Sequence, residues 1–359
     1  MSVLIIAEAG VNHNGNEQLA FELVDAASAS GADIVKFQTF KARNLVTKTA
    51  QQCSYQAENI GQSESQFSML KRLELPIETH FKLLEYCEKK NIKFLSTAFD
   101  SESLAFLVND IKLPLLKLPS GEITNAPFLL EHAKTGCELI LSTGMATLEE
   151  VENALGVLAF GLLGYDEKLA GRAAFAAAYN SVEGKKALRD KVTLLHCTTE
   201  YPAPMDSINL RAMDTLKNTF ELPVGYSDHS AGTTIPIAAV ARGAVVIEKH
   251  FTLDRNLPGP DHKASLEPNE LATMVQGVRD VERALGTGEK KPSVVELKNL
   301  PQVRKSVVAA ASIAVGESFS KLNLQIKRPG SGVSPYDYWQ LLQMKADKEY
   351  CEGELIEYS

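Results

Sequence analysis

A repeated pairing of short apolar runs with longer amphipathic segments constrains the fold of this chain more than any other feature. Each run is rich in Val, Ile and Leu and ends in polar residues, which is typical of a buried parallel strand. The segments between the runs have helical spacing, and Gly31 and Gly243 stand where two of these helices should stop. The predicted strands are residues 3–7, 33–39, 92–97, 115–118, 138–145, 192–197, 224–229 and 245–251.

Eight strand–helix pairs are the number that closes a (β/α)8 TIM barrel, which needs about 250 residues. We therefore predict an α/β protein with such a barrel as its main domain. An open, doubly wound sheet is the alternative, but no GxGxxG follows the first predicted strand.

The last two predicted strands each end on a histidine, His229 and His250. Neighbouring parallel strands lie about 4.8 Å apart, so side chains at equivalent strand ends can converge on one small ion. Neutral imidazoles suit a divalent metal of the Mn, Co or Zn type. Taken singly, each histidine could instead be a hydrogen-bonded residue at the edge of the barrel.

Other polar residues also collect at the C-terminal strand ends, where (β/α)8 barrels carry their active sites. Lys36 and Lys117, with the hydroxyls of Ser120, Ser142 and Ser227, would together bind an anion carrying phosphate and carboxylate groups. The alternative for each lysine alone is a solvated charge. The whole set at this edge is Glu8, Lys36, Gln38, Lys117, Ser120, Glu122, Ser142, Tyr201, Ser227, His229 and His250.

Composition excludes several classes of protein. A net charge of −8 over 359 residues argues against a general nucleic-acid surface. The apolar runs are shorter than the roughly 18 residues of a membrane span, and no signal peptide precedes the first strand. The five cysteines are scattered and form no CxxC pair, which disfavours disulfide frameworks and cysteine–zinc sites. We expect a cytoplasmic protein.

The predicted domains are a barrel over residues 1–288, a linker over 289–302, and a small β-rich domain over 303–359. Residues 40–75 form a loop that is too long for a bare connection and could serve as a lid. Residues 160–190 are rich in alanine and are interpreted as an insertion with some helix. The C-terminal domain is small enough that its own core should be marginal.

The motifs at the strand ends resemble those of the sialic acid synthase family. They include Ser-Thr-Gly-Met at 142–145, Tyr-Ser-Asp-His at 226–229 and Glu-Lys-His-Phe at 248–251. The other matching segments are residues 7–15, 35–39, 117–122, 196–202 and 258–261. The tail, with Lys-Arg-Pro-Gly-Ser-Gly at 327–332, resembles the SAF domain of that family, which is related to antifreeze proteins.

The resemblance implies condensation of phosphoenolpyruvate with an amino-sugar aldose and water, with metal assistance and C–O cleavage, to give a nonulosonic acid and phosphate. N-acetylmannosamine, giving N-acetylneuraminate, is the first choice. A 2,4-diacetamido-2,4,6-trideoxy hexose, giving N,N'-diacetyllegionaminate, is the alternative. Some relatives carry Asn-Ile where this chain has Thr199-Glu200, which leaves the substrate subgroup open.

The resemblance also assigns roles to single residues. It implies that Lys36, Gln38, Lys117, Ser120, Ser142 and Ser227 hold phosphoenolpyruvate, and that Glu8, Tyr201, Asp261 and Arg328 face the sugar. His229 and His250 would bind the metal, with Mn2+ as first choice and Mg2+ or Co2+ as alternatives. Glu8 or Glu122 would be the catalytic base. Arg328 would reach the site of a second subunit in a domain-swapped homodimer.

Other functions fit the residues less well. A pyruvate lyase that works through a Schiff base would need one desolvated lysine and no metal. A metal-dependent hydrolase would want more ligands than two histidines. An ice-binding protein would leave the polar strand ends unexplained. Cys197 next to His196 could suggest a nucleophile, but adjacent strand residues face opposite ways, so we expect Cys197 to pack in the core.

Overall fold

The computed structural model of the protein describes residues 2–53, 57, 59 and 64–357. The chain divides into two compact units, Met1–Gly286 and Thr287–Ser359. The sequence analysis placed the end of the first domain at Gly288, two residues further on.

The first unit is a closed barrel of eight parallel strands in sequential order, β1 to β8, which confirms the predicted (β/α)8 architecture. The strands are β1 Leu4–Gly10, β2 Ile34–Thr39, β3 Lys93–Ala98, β4 Leu115–Leu118, β5 Glu138–Ser142, β6 Val192–His196, β7 Val224–Asp228 and β8 Val246–His250. Most of their residues are fully buried because each strand packs against the barrel interior on one face and a helix on the other.

Helices follow the strands in the order that the sequence pattern indicates. They are α1 Glu17–Ala29, α2 Ala42–Leu45, α3 Gln66–Leu73, α4 Ile77–Lys89, α5 Ser101–Asn109, α6 Ala126–Lys134, α7 Leu148–Leu162, α8 Arg172–Asn180, α9 Val182–Lys191, α10 Ala212–Phe220, α11 Thr234–Ala241 and α12 Pro268–Leu285. A capping box begins α7, where Thr147 and Glu150 each bond to the other's backbone N–H.

Three segments of the barrel differ from the prediction. The fifth strand ends at Ser142 rather than residue 145, because residues 143–146 form a turn in which Ala146 donates its backbone N–H to the oxygen of Thr143 and Met145 has a φ of 66°. Residues 160–190 hold the end of α7 and then α8 and α9, so this segment is mostly helical. The predicted loop over residues 40–75 contains α2 and α3, and part of it lies outside the described residues.

Strand register places the polar strand ends side by side. Glu8 of β1 pairs with Lys36 of β2 on one side and with His250 of β8 on the other. Side chains alternate between the two faces of a strand, so residues that are paired across neighbouring strands, such as Glu8, Lys36 and His250, point to the same face of the sheet. The pairing of β1 with β8 closes the barrel, so the first and last strands lie next to each other.

The second unit has a two-stranded antiparallel sheet, β9 Ser306–Ala309 with β10 Leu324–Lys327, and a short helix, α14 Tyr338–Leu341. It has a hydrophobic core of its own that includes Val307, Phe319 and Tyr350. A helix, α13 Val294–Val303, occupies most of the predicted linker, and none of its residues is buried. The SAF assignment of this unit stays a prediction. In the described part of the chain, no helix is long and apolar enough to cross a membrane.

Gly225 lies where β7 meets its two neighbouring strands too closely for a side chain. A Cβ at this position would stand 2.7 Å from Leu195 Cδ2 and 2.8 Å from Val246 Cβ, and it would also clash with the backbone oxygen of Val246. Real Cβ atoms do not approach so closely, so the barrel wall would have to shift.

We predict that Gly225→Ala lowers the free energy of unfolding by about 1–3 kcal/mol, because overpacking forces the wall of a close-packed barrel apart. Urea unfolding followed by circular dichroism measures the change. Gly171→Ala is the matched control, since a Cβ there meets no atom within 4 Å. Equal stability of the two variants would contradict the prediction.

Candidate active site

A polar pocket of about 350 Å³ opens at the C-terminal ends of the barrel strands. Every barrel residue that the sequence analysis assigned to the site lines this pocket. They are Glu8, Lys36, Gln38, Lys117, Ser120, Glu122, Ser142, Tyr201, Ser227, His229, His250 and Asp261. Arg328 directly follows β10 in the second unit. The roles proposed for these residues remain predictions.

Four buried charged side chains form the floor of the pocket. Lys36 Nζ lies 2.7 Å from Glu8 Oε2 and 3.5 Å from Glu248 Oε2. Lys117 Nζ lies 3.5 Å from Glu248 Oε1. Ser227 Oγ donates a hydrogen bond of 2.8 Å to the same carboxylate. Burial of a charge is costly without a partner, and here each cation has a carboxylate within ion-pair distance.

The electrostatics of the floor are set by burial and by these pairings. Burial raises the pKa of Glu8, opposed by Lys36. Burial alone would also raise the pKa of Glu248, but Lys117 and Lys36 outweigh it and hold that pKa well below its usual range. Burial alone would lower the pKa of Lys36, but Glu248 and Glu8 outweigh it and raise that pKa. The pKa of Lys117 is lowered by burial, with Glu248 acting against the change.

Glu248 is the residue of the site that the sequence analysis missed. It belongs to a motif used for the resemblance, but it received no role. The signal was available, because Glu248 and His250 are two apart in β8 and must share a face. What the sequence could not provide was the distance from Glu248 to lysines on β2 and β4.

His229 and His250 face each other across the pocket, with ring centroids 5.7 Å apart. His229 Nδ1 bonds the backbone oxygen of Thr198 at 2.6 Å, which makes Nδ1 the protonated nitrogen and turns the lone pair of Nε2 toward the pocket. His250 Nδ1 is buried without a hydrogen-bond partner and lies 4.0 Å from Asp261 Oδ2.

This pair fits a divalent metal in its donor chemistry. Burial lowers the pKa of His229 to about 4 and that of His250 well below its usual value, so both imidazoles are neutral, as metal ligands must be. The backbone hydrogen bond of His229 is the kind of outer contact that orients ligating histidines. No cluster of three or more His, Cys, Asp or Glu with metal-binding geometry occurs among the described residues.

The side of the pocket that is predicted to face a sugar combines the aromatic ring of Tyr201 with the carboxyl groups of Asp261 and Glu8. The Tyr201 ring stacks at 4.1 Å from His229, centroid to centroid, and meets His250 edge-on at 5.5 Å. Burial, with a smaller effect of Glu8, raises the pKa of Asp261 to about 7. Gln38 Nε2 donates to Glu8 Oε1 at 3.2 Å, which holds that carboxylate in place.

The predicted lid forms one wall of the pocket. Helix α3 contributes Gln66, Met69, Leu70 and Leu73 to the lining, and Met69 and Leu73 pack with Val11 and Phe40 in a small apolar cluster. Asn59 Nδ2 donates to the backbone oxygen of Pro260 at 2.7 Å, next to Asp261. These contacts attach the 40–75 segment to the loop after β8.

The segment after β5 approaches the segment after β6 at Gly144. A Cβ on Gly144 would lie 2.9 Å from Cys197 Sγ and 3.1 Å from Ser120 Oγ, and it would clash with Thr199 Oγ1, so only glycine fits. Cys197 is buried among the core residues, as expected, and it also borders the pocket. Burial raises the pKa of its thiol, which makes it a poor nucleophile at neutral pH.

A (β/α)8 barrel with a polar pocket at the C-terminal strand ends is the architecture of an enzyme. The sequence profile described as the NeuB family matches residues 23–290, and the chain belongs to this family.

Similar proteins agree with that membership. The chain is 50% identical over 353 residues to an N,N'-diacetyllegionaminic acid synthase of Campylobacter jejuni, covering 98% of both chains. It is 48% identical over 353 residues to the enzyme of the same name from Legionella pneumophila, covering 98% of this chain and 93% of the other. A crystal structure of an N-acetylneuraminic acid synthetase from Leptospira borgpetersenii superimposes with a TM-score of 0.67 at 34% identity, covering 83% of this chain and 90% of that one.

Burial favours the neutral form of every histidine in this protein. Burial lowers the pKa of all seven, which are His13, His80, His132, His196, His229, His250 and His262. For His132 and His262 the lowered pKa is about 4. The unfolded chain therefore binds more protons than the folded one at mildly acidic pH. Their contribution to stability is complete above the unfolded pKa of about 6.5 and is lost as the pH falls below it.

We predict that the free energy of unfolding falls steeply between pH 6 and pH 5. Replacing one histidine far from the pocket, His132→Leu on α6, should reduce this slope by about 1 kcal/mol per pH unit, because one group no longer takes up a proton on unfolding. Urea unfolding of the parent and the variant at several pH values gives the two slopes. Identical slopes would show that His132 does not titrate on unfolding.

Proposed function

We propose that the protein condenses phosphoenolpyruvate with a 2,4-diacetamido-2,4,6-trideoxy hexose and water to give N,N'-diacetyllegionaminate and phosphate. The observation that carries this proposal is identity of 50% and 48% to two synthases of that name over nearly the whole chain. The match to the N-acetylneuraminic acid synthetase of known structure is lower, at 34%. N-acetylmannosamine was the first choice from sequence, and the comparisons favour the alternative.

The chemistry of the pocket floor supports phosphoenolpyruvate as the first substrate. Two buried lysines and several hydroxyls converge there, and such groups bind phosphate and carboxylate oxygens. Ser142 Oγ is buried without a hydrogen-bond partner, so it is a donor that a bound anion can use. Lys36, Lys117, Ser120, Ser142 and Ser227 are the residues we assign to this anion, with Gln38 beside them.

The proposed reaction forms one C–C bond and one C–O bond to water, and it breaks the C–O bond to phosphate. C3 of phosphoenolpyruvate attacks the aldehyde carbon of the sugar, and the aldehyde oxygen takes up a proton to become a hydroxyl. Water adds to C2, forming a new C–O bond, and gives one proton to a base. The C2–O bond to phosphate then breaks, and the remaining proton of the added water leaves with phosphate, which gives a ketone. The lysines hold the anion in line with the aldehyde, which is a positioning effect.

Glu8 is the better candidate for the base. It is buried in the charged floor, and burial raises its pKa above the usual value, which makes it a stronger base. Glu122 also lines the pocket, but it is only half-buried and lies in the turn after β4, outside the charged floor.

His229 and His250 are the residues we assign to a divalent metal, with Mn2+ as first choice and Mg2+ or Co2+ as alternatives. When bound, such an ion polarises the aldehyde carbonyl as a Lewis acid. The chain itself holds the two imidazoles neutral, and it orients His229 through Thr198. Tyr201 and Asp261 border the same space and are assigned to the sugar.

The substrate assignment predicts a clear preference between two aldoses. With phosphoenolpyruvate present, kcat/KM for the diacetamido-trideoxy hexose should exceed that for N-acetylmannosamine at least tenfold, because a pocket built for a second acylamino group loses contacts with a sugar that lacks it. Phosphate release measures both rates, with and without a chelator.

Lys117→Ala serves as the internal control for this assay. It should raise the KM for phosphoenolpyruvate more than tenfold, because it removes a desolvated charge contact, and it should change the KM for the sugar much less. A higher kcat/KM with N-acetylmannosamine would overturn the choice of sugar. An unchanged KM for phosphoenolpyruvate in Lys117→Ala would overturn the anion site.

We further propose a domain-swapped homodimer in which Arg328 of one subunit completes the sugar site of the other. The guanidinium has a rigid fork of donors that suits an N-acyl oxygen and neighbouring hydroxyls. The predicted motif around Arg328 supports this assignment, since Arg328 follows β10 in the second unit rather than lying in the barrel.

Composite sites predict complementation between two inactive chains. Mixed dimers of Arg328→Ala and His250→Ala contain one site that has neither substitution, so mixing should restore up to about half the activity per mixed dimer. Subunit exchange is followed in parallel by native mass spectrometry of differently labelled chains. Proven exchange without recovered activity would contradict the proposal.

A further inference from the structure

A second buried ion pair lies beside the two histidines on the outer side of the barrel wall. Lys249 Nζ is 2.6 Å from Asp228 Oδ2, and both side chains are 0% exposed. Lys249 also donates to the backbone oxygen of Ser230. Asp228 Oδ1 accepts from the backbone N–H of Ser230 at 3.0 Å and from its hydroxyl at 2.8 Å. The pair thus forms a closed set of contacts with the first residue after His229.

The register of the sheet explains where the ion pair of Asp228 and Lys249 lies. Asp228 of β7 and Lys249 of β8 are direct partners across the two strands, and His229 and His250 are the next residue of each. Successive side chains point to opposite faces, so the ion pair lies behind the wall that carries the imidazoles.

The same contacts extend to a third segment of the site. Ala203 forms a bridge with Ser230, and its backbone N–H donates to the backbone oxygen of His229 at 2.8 Å. Ala203 is two residues after Tyr201, whose ring stacks on His229. The ends of β7 and β8 and the segment after β6 are therefore connected through one buried cluster of Asp228, Ser230 and Lys249.

Stability alone does not account for such a pair. Taking two charges out of water costs about as much as their attraction returns, so apolar residues of similar volume would serve a purely structural role as well. A buried pair does impose one geometry, because its hydrogen bonds break if either strand end moves. The pair therefore fixes the positions of the two strand ends, and it adds little to the free energy of unfolding.

We propose that Asp228 and Lys249 are positioning residues that hold His229 and His250 at the separation needed to bind one divalent ion. This inference rests on the metal site of the proposed function. It assigns to the pair the role of outer contacts that orient metal ligands.

The test replaces both charges at once, so that neither is left buried and unpaired. In Asp228→Asn with Lys249→Met, we expect a folded protein whose dissociation constant for Co2+, used alone as a probe, rises about 10–100-fold. The visible absorption of bound Co2+ in a titration of the full chain measures the constant. A crystal structure of the double variant measures the separation of the two rings, which is 5.7 Å in the parent and should change.

The matched control removes an ion pair from the same barrel at a distant place. Asp33 accepts from Arg279 at 2.7 Å and from the backbone N–H of Ile5, and it precedes β2 at the opposite end of the strands. Asp33→Asn with Arg279→Met should leave Co2+ affinity within twofold of the parent. Equal loss of affinity in both double variants would assign the effect to stability and overturn the inference.

The outcomes separate this inference from the metal assignment. If the parent binds Co2+ and His250→Ala does not, the metal site holds, and unchanged affinity in the double variant overturns the positioning role alone. If the parent binds no Co2+, the metal assignment fails, and the ring separation in the variant crystal decides whether the pair positions the histidines. If the double variant does not fold, Ser230→Ala decides, with at least threefold weaker Co2+ binding expected and unchanged binding overturning the inference.

Discussion

The rest of the site depends on the ion pairs between Glu8, Lys36, Lys117 and Glu248 in the middle of the barrel. Two positive and two negative side chains are buried within ion-pair distance of one another. None of them could be buried without the others, because an unpaired charge in a protein interior costs several kcal/mol, about as much as a domain's whole margin of stability. The four residues come from strands β1, β2, β4 and β8, so the barrel must close in one register for the pairs to form.

The same network places cations where an anionic substrate can reach them. In a pocket with little water, fixed charges and hydroxyl donors interact more strongly with a ligand than they would at a surface. Burial lowers the pKa of both lysines and Glu248 opposes it, so that the pKa of Lys36 is raised and the fall in the pKa of Lys117 is limited. Function and folding therefore draw on the same residues, and changes at the floor should affect both.

The strand ends and the segments that follow them form different parts of the pocket. The strand ends carry the charged and hydroxyl groups that we assign to phosphoenolpyruvate, and the segments beyond them form the walls, such as α3 with Met69 and the turn at Gly144. Residues in such walls can change without disturbing the ion pairs below.

The sequence by itself determined the order of eight strands and helices and placed eleven barrel residues at one edge, because apolar runs that end in polar residues mark buried parallel strands and their C-terminal ends. It did not reveal the role of Glu248, the pocket position of Cys197, or the contact of Lys249 with Asp228 and Ser230. These depend on which strands become neighbours when the barrel closes and on distances between side chains far apart in the chain. Only the tertiary structure decides such distances, since local pattern carries no information about them.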